Sequence, residues 1–509
     1  MPNPLATEHF DVIIVGAGLS GIGAGYHLQS RCPGRTYAIL EGRDRSGGTW
    51  DLFRYPGVRS DSDMNTLGYS FRPWTLPNAI ADGGSILRYV RDTARDHGID
   101  SRIRFNHRVR RAGWSTADAR WTVEAERRPA DDMPGAQSAV EVVRFTCSFL
   151  FMCSGYYSYA RGHTPEFAGA DRFGGRIVHP QFWTDDIDYA GKRVVVIGSG
   201  ATAVTLVPAL AKQAAHVTML QRSPTYIIAL PTQDRFSNWL HRYLPDRTAY
   251  GITRWKNVLF GMFFYALSKR SPDRVKRMVL AGARKELGDA YDLAHFTPTY
   301  NPWDQRLCLV PDGDLFKALK SGRASVVTDH IDTFTATGVQ LKSGRELAAD
   351  LIVTATGLEL VVLGDVQLEV DGARVDPATT MGYKGMMYSD VPNLASALGY
   401  TNASWTLKCD LTCEYVCRLL NHMKKTGFQQ CTPRNNDPTV TPEPWLDFTS
   451  GYILRAIDKF PHQGSRAPWK LHQNYARDIL ALRLGSLEDA AMEFSNRIGA
   501  GGPERQLAG

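Results

Sequence analysis

An apolar strand that breaks into spaced glycines and runs on into a helix of small residues occurs twice in this chain, over 11–26 and again over 192–210. Few architectures accept that pattern. The first copy reads DVIIVGAGLSGIGA, with Gly16, Gly18 and Gly21 directly after the apolar run. In such a turn the first glycine permits the sharp bend, the second admits a pyrophosphate against the backbone, and the third lets helix and strand pack closely. The anion then rests on the helix amino terminus, where free N–H groups and the helix dipole favour negative charge. The next apolar strand, TYAIL, ends at Glu41, 20 residues past Gly21. A carboxylate there accepts from a ribose hydroxyl and repels a 2′-phosphate, so the spacing predicts FAD or NAD, and FAD for a turn this close to the amino terminus.

The second copy, KRVVVIGSGATAV, carries Gly198, Gly200 and Ala203 in the G-x-G-x-x-A form. Its following strand, HVTMLQRS, ends without an acid and has Arg222 near that place. A guanidinium grips a 2′-phosphate through forked, charge-assisted hydrogen bonds, which predicts NADPH for the second unit. Two further strand ends, FLFMCSGYY around Gly155 and ADLIVTATG ending at Gly357, read as crossovers between the units. The expected fold is α/β, with two Rossmann-like dinucleotide-binding domains, a helical insertion and a β-meander over 107–150. At about 150 residues per domain, 509 residues predict roughly three domains. They divide as 1–150 plus 380–509 for FAD, 155–230 plus 302–379 for NADPH, and 231–301 as the helical insertion shaping a substrate pocket. The polar stretch RRPADDMPGAQSA reads as a surface insertion, and GAGGPERQLAG at the end as unstructured.

Lys and Arg exceed Asp and Glu by 59 to 52, a net charge of +7 that suits small anionic ligands and is too mild to suggest nucleic acid. Eight cysteines are too sparse for a disulfide framework, and the amino terminus has no basic stretch leading into an apolar core, so a reducing, cytoplasmic setting is expected. Cys409, Cys413 and Cys417 share one helical face; with no histidine or carboxylate to complete a ligand set they read as core, and no metal is expected. The absence of a C-x-x-C pair argues against a disulfide reductase. From Arg254 to Lys285, nine basic residues and one acid surround the apolar block VLFGMFFYAL. The expectation is a buried helix with a basic, solvated flank, with peripheral membrane contact as the alternative. Oligomeric state is not legible.

Between the two units stand Phe173, Gly175, His179 and Trp183 in the pattern F-x-G-x-x-x-H-x-x-x-W. Gly48, Trp50, Tyr55, Pro56, Gly57 and Asp61 form a second pattern, G-x-W-x-x-x-x-Y-P-G-x-x-x-D. With both motifs, ordered around two nucleotide units, the chain resembles the type I Baeyer–Villiger monooxygenases over nearly its whole length. The phrases RYPGVRSDSD, NPWDQRLCLVP and GYTNASWTLK look closest to the subgroup of mycobacterial ethionamide-activating monooxygenases. The resemblance implies reduction of FAD by NADPH, addition of dioxygen at flavin carbon 4a, and conversion of ketones to esters or lactones, with sulfoxidation of thioethers or thioamides also within reach. It further implies that Arg306, in NPWDQRLCL, is the active-site arginine and that Asp61 is the carboxylate placed near it. A fixed guanidinium would stabilise the anionic oxygen species and the charged adduct. For His179, a hydrogen-bonded linker role and a contact with NADP both stand open. Two departures from the family pattern stand out: Thr184 follows Trp183 where proline or aspartate is usual, and Gln305 precedes Arg306 where many relatives carry lysine, the second bearing on the handling of NADPH. The competing readings are a flavin-containing heteroatom monooxygenase and a non-oxygenating NADPH oxidase or sensor.

Overall fold

The computed structural model describes residues 7–128, 140–289, 291–305, 307–446 and 449–497. Most of the polar stretch before residue 140, the GAGGPERQLAG tail and Arg306 lie outside the described residues. The first sheet is built around β1 (Glu8–Val15), whose run of Val and Ile is buried on both faces, as a central parallel strand requires. It pairs in parallel with β2 (Tyr37–Leu40), Val12 opposite Tyr37, and β3 (Ile103–Arg104) continues that edge. The expected meander is present as β4 (His107–Ser115), β5 (Arg120–Arg127) and β6 (Glu141–Met152), joined antiparallel. Along β5, Trp121, Val123 and Ala125 point inward while their neighbours face out, the period of two that the sequence shows. Strand β6 closes the arrangement by pairing in parallel with the other side of β1, Val12 opposite Phe149. Helix α1 (Leu19–Arg31) starts at the glycine turn.

The second sheet is wholly parallel. Its strands are β7 (Arg176–Val178), β8 (Arg193–Ile197), β9 (His216–Gln221), β10 (Ala324–Thr328) and β11 (Leu351–Thr354), in the order β10-β9-β8-β11-β7. Helix α2 (Ala201–Leu210) follows β8, completing the second glycine-turn unit. The two crossovers meet: Tyr157–Gly162 and Leu358–Leu360, directly beyond Gly155 and Gly357, form an antiparallel pair. Gln367–Val370 and Ala373–Val375, which the sequence reading put with the second unit, extend the first sheet beside β4. Leu394–Ser396 returns to the first sheet as a partner of β6.

The insertion is helical, with α3 (Arg235–Tyr243), α4 (Asp246–Arg270) and α5 (Pro272–Leu287). Here the structure corrects one expectation. The apolar block 258–267 belongs to α4, but Leu259, Phe260 and Phe263 are exposed, and the buried side of this helix carries Thr253, Arg254 and Ser268. Ala249, Tyr250 and Val258 share that buried side, and Arg254 can join them because it finds acceptors there, its Nη1 donating to the carbonyls of Asn65 at 2.9 Å and Gly68 at 2.8 Å. Helix α6 (Trp405–Thr426) packs against α1 in the largest core. Cys409, Cys413 and Cys417 lie inside it, with Cys409 Sγ 3.4 Å from Ser20 Oγ and Cys32 Sγ 3.6 Å from the Cys417 carbonyl. All eight cysteines are buried, and none forms a disulfide.

Candidate dinucleotide and active site

The first glycine turn is shaped by close approach. Gly16 has φ +104°, and a Cβ on it would lie 2.6 Å from the Cys153 carbonyl oxygen; one on Gly21 would lie 1.9 Å from the Gly16 oxygen. Gly18 and Gly48 stand back to back, a Cβ on Gly48 falling 2.9 Å from the Gly18 Cα, so the second sequence motif buttresses the first. The Ala17 N–H donates to Glu41 Oε2 at 2.8 Å and the Arg43 N–H to Oε1 at 3.0 Å. Burial holds the Glu41 carboxyl above its ordinary range, with these two amides pulling the other way. Glu41 therefore fixes the turn from behind and also lines the cavity in front of it.

A cavity of about 1570 Å³ opens in front of this turn, well above the roughly 300–1,000 Å³ of common small-ligand pockets. Gly16, Gly18, Glu41, Gly48, Trp50 and Asp61 all line it. Sequence reasoning missed several of its walls. Arg43 lines it and donates to the buried Asp51 at 2.6 Å, and Arg91 reaches the same carboxylate at 2.8 Å. Arg54 and Arg45 stand within 4.0 Å of Asp51, leaving a surplus of positive charge beside the turn that suits a pyrophosphate. Tyr156 and Trp405 also line the cavity, stacked with ring centroids 5.1 Å apart, and the Trp405 indole N–H donates to Ser20 Oγ at 2.8 Å. Arg43 and Tyr156 follow Glu41 and Gly155 in sequence, a signal that position relative to the strand ends would have given. A glycine cradle, an acid at the ribose place, basic flanks and aromatic walls together fit a flavin dinucleotide.

The Y-P-G segment joins the two units. A Cβ on Gly57 would come 2.7 Å from the Ala209 Cβ on α2, so only glycine lets this loop lie on that helix. Burial pushes the Tyr55 phenol up to about 12, its hydrogen bond with Thr202 on α2 opposing and the Asp61 charge adding to the rise. Four residues beyond Gly57, Asp61 stands on the cavity wall between Ser60 and Ser62. Arg306 is outside the described residues. Of its neighbours, Gln305 makes a parallel bridge to Pro302, and Leu307 packs near Tyr226 and Val275.

In the second unit a Cβ on Gly198 would lie 2.4 Å from the Ala355 carbonyl, whereas Gly200 has open space around it. Ala203 is buried in α2. Ser199 Oγ donates to the Ser223 carbonyl at 2.9 Å, which holds the end of β9, and exposed Arg222 with it, beside the glycine turn. The linker motif is spread over the junction. Phe173 packs edge-on to Phe334, Gly175 leaves room for the Asp350 carbonyl, and Trp183 is buried near Tyr189 in the core of the second unit. His179 Nδ1 accepts from the Gln181 N–H at 3.2 Å, so its Nε2–H donates to the Gly357 carbonyl at 3.1 Å. Burial lowers its pKa and keeps it neutral, with the Gly357 bond opposing. In this structure one ring nitrogen caps the linker turn at Pro180–Phe182 and the other ties that turn to the crossover at Gly357.

Two sheets, each with a glycine turn opening onto a helix amino terminus and joined by a paired crossover, define a two-dinucleotide oxidoreductase. The family described as flavin-binding monooxygenase-like matches residues 68–359, more than half of the chain, and an NAD(P)-binding Rossmann-like domain matches 14–74. The chain is 55% identical to the FAD-containing monooxygenase EthA of Mycobacterium tuberculosis over 493 residues, covering 96% of this chain and 99% of the relative. It is 46% identical to the probable FAD-binding monooxygenase AlmA of Acinetobacter baylyi, over 96% and 97% of the two chains. A steroid monooxygenase bound to NADP shares the fold with a TM-score of 0.74 at 22% identity, over 96% of this chain and all of the other. Cyclohexanone monooxygenase does so with the same score and coverage at 18% identity. The chain belongs to the flavin-binding monooxygenase family: it is a flavin- and NADP-dependent oxidoreductase that acts on a small molecule with dioxygen.

Proposed function

We propose that this enzyme inserts oxygen into ketones, giving esters or lactones at the expense of NADPH, and that it also oxidises the sulfur of thioethers or thioamides. The observation that carries the reading is the cavity in front of the first glycine turn, where Asp61 stands on the wall and the Y-P-G segment fastens that wall to the second unit. In this reading the first sheet holds FAD and the second holds the 2′-phosphate of NADPH through Arg222. Bound flavin would take up the reducing equivalents of NADPH and pass them to dioxygen, activating it for transfer. The chain supplies the rest. Gly16, Gly18 and Arg43 anchor the pyrophosphate, while Tyr156, Trp50 and Trp405 line the site with aromatic surface. By the family resemblance, Arg306 would supply the permanent positive charge that offsets developing negative charge, with Asp61 as its companion carboxylate. A cytoplasmic location belongs to the same proposal, supported by eight buried cysteines, none of which forms a disulfide.

The test is product analysis with purified, flavin-loaded enzyme, NADPH and a medium-chain 2-ketone or a thioether. The reading predicts ester formed in step with NADPH consumed, and sulfoxide from the thioether. Sulfoxide with no ester would favour the heteroatom monooxygenase. Hydrogen peroxide equal to NADPH consumed, with neither product, would leave only an oxidase or sensor.

A further inference from the structure

The exposed side of the helical insertion is not used by the reading above, and its composition is unusual for a surface bathed in water. On α4, Ile252, Trp255, Leu259 and Phe263 follow one another at intervals of three and four, so they form one stripe along the helix. On α3, Phe236, Trp239 and Tyr243 do the same. The two stripes adjoin, because Lys256 on α4 sits 4.9 Å over the Phe236 ring, which is stacked on Trp239. These are open side chains: Tyr243 is 71% exposed, Phe260 65%, Phe263 64%, Leu259 57% and Trp239 54%. Single exposed apolar residues need no explanation, but a continuous aromatic face marks an interaction site.

Charge selects the partner. Arg242, Arg247, Arg270, Arg274 and Arg277 are exposed on α3, α4 and α5, whose twelve Lys and Arg outnumber three acids, Asp246, Asp273 and Glu286. A second copy of the chain would bring like charge against like charge in an isologous contact. An anionic lipid surface attracts it, and a helix with Trp and Phe on one face and arginines at its edges is the form that lies in a headgroup layer. No described helix is long and apolar enough to cross a membrane, so the contact is along the surface. The buried side of α4 is pinned by Arg254 to the carbonyls of Asn65 and Gly68, so the face is held outward by the fold itself. We infer that α3 and α4 dock the enzyme on an anionic phospholipid bilayer, their aromatic stripes in the headgroup layer and the arginines of α4 and α5 on the phosphates.

The experiment is co-sedimentation of the full-length, flavin-loaded enzyme with vesicles of phosphatidylglycerol and phosphatidylcholine, or of phosphatidylcholine alone. Two variants accompany it: Leu259→Ser/Phe260→Ser/Phe263→Ser, which removes the most exposed apolar side chains of α4, and Arg270→Glu/Arg274→Glu/Arg277→Glu, which reverses the charge. None of these residues lines the large cavity, so flavin absorbance and thermal unfolding report whether each variant is folded. The expected result is binding to the anionic vesicles that falls about tenfold or more in each folded variant and falls again in high salt. Two results would overturn the inference: no co-sedimentation of the parent enzyme with anionic vesicles, or binding that neither variant weakens. If the parent ignores vesicles but self-associates, and the serine variant disperses it, the face joins copies of this chain and the bilayer is excluded.

Discussion

The first glycine turn is walled by its own chain, while the second faces open space. Behind the first stand Gly48 against Gly18 and the buried Glu41 holding two backbone amides, and in front lies the large cavity. Behind the second, only the Gly198 contact with Ala355 is comparably tight; Gly200 has no heavy atom within 4 Å of a Cβ position, and Arg222 lies in solvent. One plan has thus been finished in two ways. A site braced from behind by its own chain, with its acceptor fixed, suits a cofactor that stays through many turnovers. A site offering an open turn and an exposed cation suits one that arrives and leaves with each cycle.

The contrast is broken most severely at Gly21. Gly21→Ala places a methyl 1.9 Å from the Gly16 oxygen, and relief requires the helix to move off the strand. The expected outcome is a loss of about 3 kcal/mol or more and a protein purified with little flavin, read by thermal unfolding and absorbance. Gly200→Ala, by contrast, should leave stability within about 0.5 kcal/mol and flavin content unchanged. Next in size is the chemistry. Arg306→Ala should retain flavin yet lower kcat by about 100- to 1,000-fold, with more NADPH spent on peroxide. Adding Asp61→Ala to that variant should do less harm than Asp61→Ala alone, because paired groups are not additive; a double-mutant cycle on kcat measures this.

The smallest expected effect is at the crossover. His179 has its pKa lowered by burial, so the folded protein favours the neutral ring. Its contribution is fully present above the unfolded value near 6.5 and is lost as pH falls from there through the folded value. Protonation also removes the acceptor that Nδ1 offers to the Gln181 N–H. Unfolding midpoints measured between pH 8 and pH 5 should therefore decline at the acid end, and His179→Asn should flatten that decline.

Much of this was legible in the sequence because it is local. Gly16, Gly18, Gly21 and Glu41 act within one strand–helix–strand unit, and fixed spacing reports them. The meander was legible because alternation along 107–150 survives folding. What was not legible depends on contacts far along the chain. The Y-P-G segment reads as a family motif, but its work, admitting α2 against Gly57, rests on Ala209 about 150 residues later. The α4 block looked buried because its apolar content is high. The buried side of that helix includes Arg254, whose acceptors on 65–68 no helical period can announce. Trp405 reaches the first glycine turn only through the packing of α6 on α1.

The division of labour between the two turns is tested most directly by steady-state kinetics with NADPH and NADH on wild-type enzyme and Arg222→Ala, with flavin absorbance recorded for both. The account predicts unchanged flavin content, a roughly tenfold to hundredfold loss in kcat/KM for NADPH carried by KM, and little change for NADH. Equal preference for NADPH in the two proteins would contradict it, as would loss of flavin from the variant.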